Sequence, residues 1–70
     1  MTNLDKIQND FTYHSPNQEQ IVRYDSIRYK AKELALTFAR LCPDSAELEQ
    51  ALFLLNLATM SANAAIARNE

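Results

Sequence analysis

Apolar residues recur along the last third of the chain at alternating spacings of three and four: Leu48, Leu52, Leu55, Thr59, Ala62 and Ile66. That spacing predicts a long helix over 44–69 with one stripe that packs on a neighbour. Phe53, Leu57, Met60 and Ala64 form a second stripe beside the first. A helix in a two-helix hairpin has one partner and buries one stripe, so the second is expected to pack against another copy of the chain. Further back, Tyr24, Ile27, Ala31, Leu34, Phe38 and Leu41 keep the same alternation. They predict a first long helix over 15–42 with a coiled-coil-like seam.

The punctuation between these patterns is specific. Ser15 is placed to cap the first long helix, Pro16 to take its first position and Gln18 to complete a capping box. Pro43 ends that helix, and Asp44 with Glu47 three residues later forms a second box that restarts the chain. So short a connection makes the two helices antiparallel neighbours, each about 37 Å long at 1.5 Å per residue. Residues 1–14 supply a short helix capped by Thr2, with Leu4, Ile7 and Phe11 on one side. An aromatic link, Phe11 to His14, follows. The fold class is therefore all-α: a short N-terminal helix plus a long antiparallel hairpin, one helical domain over 1–70, assembled into a homo-oligomer.

Composition adds weight to assembly. Seventy residues hide only about 60% of their unfolded surface, and such chains usually need disulfides, a metal or oligomerisation. Cys42 is the only cysteine and His14 the only histidine, so one chain builds neither a disulfide nor a four-ligand zinc site. No cofactor is expected. Cys42 reads as a small buried hydrophobe and His14 as a turn residue stacked on Pro16 or a nearby ring. No apolar run reads as long enough to span a bilayer, and no basic stretch precedes an apolar one at the N-terminus. The expectation is a soluble intracellular protein.

A formal net charge of −2 speaks against binding long nucleic acid. Charge is nevertheless uneven, with Arg23, Arg28, Lys30, Lys32 and Arg40 all on the first long helix and Arg68 near the C-terminus. Glycine is absent, and with it any glycine-rich phosphate loop. No nucleophile–base pair is evident, so no enzyme is expected. What remains is a set of rings, Phe11 and Tyr13, just ahead of a helix bearing cations. Bases stack on aromatic faces and cations meet phosphates.

Phe11-Thr12-Tyr13-His14-Ser15-Pro16, Lys30-Ala31-Lys32-Glu33-Leu34-Ala35, Cys42-Pro43-Asp44-Ser45 and the ending Ala62-Asn63-Ala64-Ala65-Ile66-Ala67-Arg68-Asn69 resemble the small phage anti-CBASS proteins of the second type. These are nucleotide sponges. The resemblance runs over nearly the whole chain in the same order. It implies a helical hexamer in the host bacterial cytoplasm that sequesters cyclic dinucleotides such as cyclic GMP-AMP and so blocks CBASS signalling. It also implies separate pockets between protomers for cyclic trinucleotides, and binding without hydrolysis. Carried over by position, the dinucleotide site takes an aromatic residue from the link, Tyr13, and a lysine on the first long helix, Lys30. Phe11 is the alternative ring, and Arg28 or Lys32 the alternative cation. For the trinucleotide pocket the candidate is Arg68, the only basic residue near the C-terminus. A two-fold interface presents each side chain twice, matching two bases and two phosphates. Two competing readings are a helical adaptor that docks a host or phage protein on its exposed apolar stripe, and a small DNA-associated regulator, which the acidic balance disfavours.

Overall fold

A computed structural model describes residues 2–70; Met1, the first residue of the N-terminal segment, lies outside the described residues. Among the described residues all regular structure is helical: α1 (Asn3–Asp10), α2 (Gln18–Leu41) and α3 (Ala46–Asn69). Thr2 caps α1 as the pattern predicts. Its hydroxyl accepts from the Asp5 N–H at 3.2 Å, and the Asp5 carboxylate accepts from the Thr2 N–H at 3.4 Å.

The other two caps differ from the expected ones. α2 starts after Asn17 rather than Ser15: the Asn17 side chain accepts from the Gln20 N–H at 2.8 Å, and the Gln20 side chain accepts from the Asn17 N–H at 3.0 Å. This box satisfies two of the N–H groups that a helix start leaves open, and Pro16 stays in the link. α3 is capped by Ser45 rather than Asp44. The Ser45 hydroxyl accepts from the Leu48 N–H at 3.1 Å and donates to the Pro43 carbonyl at 3.0 Å. A hydroxyl does both, whereas an ionised aspartate only accepts.

α2 and α3 pack along their length, and Gln20 and Arg23 at the start of α2 meet Glu70 at the end of α3. They are antiparallel, as the short connection requires. The seam draws Tyr24, Ile27, Ala31, Ala35 and Phe38 from α2 against Leu48, Leu52, Leu55, Thr59, Ala62 and Ile66 from α3. The α3 stripe is the predicted one. On α2 the seam takes Ala35 in place of Leu34, and Leu41 is exposed. At 3.6 residues per turn, steps of three, four, four and three keep a straight stripe on one side. Cys42 is exposed too, because it is the C-cap, its backbone turned to extended geometry ahead of Pro43.

One apolar side chain, Leu48 at 8% exposure, is buried among the described residues. Phe53 and Met60, of the second stripe, remain 61% and 62% exposed. Leu4, Ile7 and Phe11 of α1 also face outward. α1 is held by polar contacts instead: Asn9 Nδ2 donates to the Arg68 carbonyl at 2.8 Å, and Asp10 lies 3.6 Å from the Arg68 guanidinium. The chain exposes 5824 Å², where a folded monomer of its mass exposes about 4,450 Å². Its radius of gyration is 15.4 Å against about 11 Å for a compact chain of this length.

Contrary to expectation, α3 is long and apolar enough to cross a bilayer, with a mean hydropathy of 1.3 over an 18-residue window. Length and composition alone decide that test; here one side of α3 lies on α2.

Leu48→Ala should destabilise the fold by about 2–3 kcal/mol in denaturant unfolding at fixed protein concentration, the low end for a core leucine. Leu41→Ala, at an exposed site, should change it by less than about 0.5 kcal/mol.

Candidate functional site

The chemistry-bearing residues gather at the open end of the hairpin, opposite the Pro43 turn. The link folds back there because α1 is tied to the end of α3 through Asn9, Asp10 and Arg68, and because His14 Nε2 donates to the Asn9 carbonyl at 3.1 Å. A cavity of about 430 Å³ opens between the link and the two helix ends, with Tyr13, His14, Gln20, Tyr24, Ala67 and Glu70 on its wall. Tyr13 is 84% exposed at its edge, so its ring is free to stack on an incoming group.

Beneath that cavity an ion pair closes the helix ends. Arg23 Nη1 donates to Glu70 Oε2 at 2.7 Å, Nη2 donates to the other carboxylate oxygen, and Gln20 Nε2 donates to Glu70 Oε1 at 3.3 Å. The hydrogen bonds from Arg23, then Gln20, hold the Glu70 carboxyl below the usual glutamate range, and Glu70 in turn raises Arg23. Arg23 Nε is buried with no acceptor among the described residues.

A second cavity of about 410 Å³ lies next to the first and shares Tyr24 and Ala67 with it. Arg28, Asn63, Ala64 and Arg68 complete its lining. The small side chains of Ala64 and Ala67 leave the room, and the Asn63 amide oxygen is buried there with no partner. A third cavity, about 310 Å³, continues along the same flank with Arg28 and Lys32 beside Ala31, Ala35, Asn56 and Thr59. Rings, cations and carboxamides therefore line one side of the hairpin. That chemistry suits bases and phosphates: rings stack, guanidinium groups take phosphate oxygens, and carboxamides pair with base edges.

The expected site residues divide between two flanks. Tyr13 lines the first cavity, Arg68 the second, and Arg28 the second and third. Phe11 is the exposed C-cap of α1. Lys30 is exposed and not on the wall that Tyr13 lines. Two residues from Arg28, it points to nearly the opposite side of α2. One protomer thus does not bring Tyr13 and Lys30 into one cavity. Arg28 is paired with Asp25 at 3.0 Å and Arg68 with Asp10, whereas Lys30 and Lys32 have no ion-pair partner among the described residues. Sequence reasoning placed Tyr24 in the seam, named Arg23 only among the cations of the first long helix, and missed Asn63 and Glu70 as site residues. The available signal was the hairpin itself, since residues about equally far from the Pro43 turn face each other, which brings Tyr24 near Asn63. Glu70, 27 residues past Pro43 against 20 before it for Arg23, falls outside that rule.

The family description "Acb2/Tad1, hairpin domain" matches residues 3–67, almost the whole of this arrangement. The chain belongs to the Acb2/Tad1 hairpin-domain family. This is the family of type 2 anti-CBASS sponges that the sequence resembles. The match takes in Phe11, Tyr13, Arg28 and Lys30 and ends just before Arg68. No curated relative and no solved structure matches the chain.

The clasp gives the Acb2/Tad1 hairpin a pH signature. Glu70 ionises more readily folded than unfolded, so its contribution is complete above the unfolded value of about 4.3 and is lost as pH falls through the lower folded value. Melting temperature should fall on acidification below about pH 4.3, and Glu70→Gln should flatten that fall. An identical acid limb in the variant would show that Glu70 contributes nothing to it.

Proposed function

We propose that the protein is a noncatalytic sponge that binds cyclic dinucleotides, such as cyclic GMP-AMP, between protomers of a homo-oligomer. Family membership over residues 3–67 carries this reading. By withdrawing the messenger in the host bacterial cytoplasm, the protein keeps the CBASS effector switched off. Cyclic trinucleotides are the proposed occupants of a second pocket type that includes Arg68.

Three features of the hairpin support it. The Tyr13 ring is exposed at a cavity edge, and Lys30, without an ion-pair partner among the described residues, lies on the opposite flank. A second copy related by a two-fold can bring one protomer's Tyr13 to its partner's lysine, and it presents that pair twice. The chain also exposes about 1,400 Å² more than a folded monomer of its mass, well above the ~800 Å² that each partner contributes to a standard protein interface. Phe53, Leu57 and Met60 lie within that surplus. They also favour the second reading, an adaptor whose apolar stripe docks a host or phage protein.

At about a hundredfold excess over Kd, cyclic GMP-AMP should stabilise the fold by about 2.7 kcal/mol per site, and heat should release it chemically intact. Tyr13→Ala and Lys30→Ala should each weaken binding about tenfold or more with the oligomer preserved. Normal binding by both variants would move the pocket elsewhere. Absence of any shift with di- or trinucleotides, together with a stoichiometric protein partner, would establish the adaptor.

Light scattering should give a multiple of the 8.0 kDa chain mass, about 48 kDa for a hexamer. Met60→Glu should lower that mass if the second stripe is an interface.

A further inference from the structure

We propose that Arg23, which stands behind Glu70 at the wall of the Tyr13 cavity, is a phosphate-binding residue, and that Glu70 is an internal carboxylate which occupies its guanidinium until an anionic ligand takes its place. The inference rests on the sponge reading and adds to it a residue and a switch. Both Glu70 oxygens sit on the Arg23 fork, with one of the two bonds at 2.7 Å. A carboxylate held this way uses the same pair of parallel N–H donors that a phosphate uses. Glu70 also lies on the wall of the cavity that offers the Tyr13 and Tyr24 rings. A negative charge is thereby set inside a cavity proposed to take an anion, and one of the two must yield.

Glu70 is the group built to yield. It is the C-cap residue of α3, beyond the last helical residue Asn69, so its side chain can swing out without breaking the helix. The C-terminal end of a helix carries partial negative charge and disfavours a carboxylate; only Arg23 and Gln20 hold Glu70 there. Arg23 stays behind on α2, with Glu19 at 3.8 Å as its one other charged neighbour among the described residues. Its buried Nε–H has no acceptor, so the carboxylate does not saturate the guanidinium. A phosphodiester brings two free oxygens and two ester oxygens to the same group, together with bases for the rings.

The test is a double-mutant cycle on the assembled protein, titrated calorimetrically with cyclic GMP-AMP, with light scattering to show that assembly is unchanged. Glu70→Gln should tighten binding by about fivefold. Arg23→Lys keeps the charge but loses the fork, and should weaken it. In the Arg23→Lys background, Glu70→Gln should change affinity by less than about twofold, because the carboxylate acts through the guanidinium. Unchanged or weaker binding by Glu70→Gln, with wild-type binding present, would overturn the inference alone and leave Glu70 a structural clasp. Equal tightening in both backgrounds would also overturn it, reducing Glu70 to a diffuse repulsive charge. No heat from wild type or Glu70→Gln would overturn the sponge reading and this inference together.

Discussion

Everything in this molecule hangs on a single seam, α2 against α3. Among the described residues no other contact buries a large apolar side chain, and even within the seam only Leu48, at 8% exposure, is buried. Alanines at 31, 35 and 62 let the two backbones close up. Closeness fixes register, and register decides which residues meet at the open end. Tyr24 comes to lie beside Ala67, and Arg23 to meet Glu70. A hairpin one seam wide cannot enclose a ligand in its own core. It can only offer grooves along its flanks and at its mouth, which is where the cavities are.

Short-range features were the legible ones. The Thr2 cap, the stop at Pro43 and the α3 stripe from Leu48 to Ile66 all depend on residues within a turn or two of each other. The differences arose where two competent residues stood side by side. Ser15 and Asn17 can both cap, and Asn17 prevails because Gln20 returns its hydrogen bond. Ser45 prevails over Asp44 because a hydroxyl can also donate to the Pro43 carbonyl. Leu34 and Ala35 compete for one seam position, and the smaller residue continues the straight stripe. The candidate site was less legible. Rings and cations could be named from their types, but Arg23–Glu70 joins residues 47 apart, and no local pattern announces it. Tyr24 reads as an ordinary seam residue until the small residues opposite it are known.

Electrostatics resolve an apparent conflict between an acidic protein and the anionic ligand proposed for it. Net charge governs attraction at long range, and at −2 it is weak. Inside the grooves the balance is local. Arg23, Arg28 and Arg68 are each held by a carboxylate from the same chain, Glu70, Asp25 and Asp10. Such pairs orient a guanidinium while lowering its free charge. Lys30 and Lys32, unpaired among the described residues, keep theirs.

The tyrosine at position 24 belongs to two cavities at once, with Ala67 as its companion in both. A displacement of that ring by a guest on one side changes the shape of the chamber on the other. Thermodynamic reciprocity then applies: whatever factor one guest imposes on the affinity of its neighbour, the neighbour imposes in return. Guests in both compartments would be coupled through the wall the two cavities share, the Tyr24 ring and the Ala67 methyl.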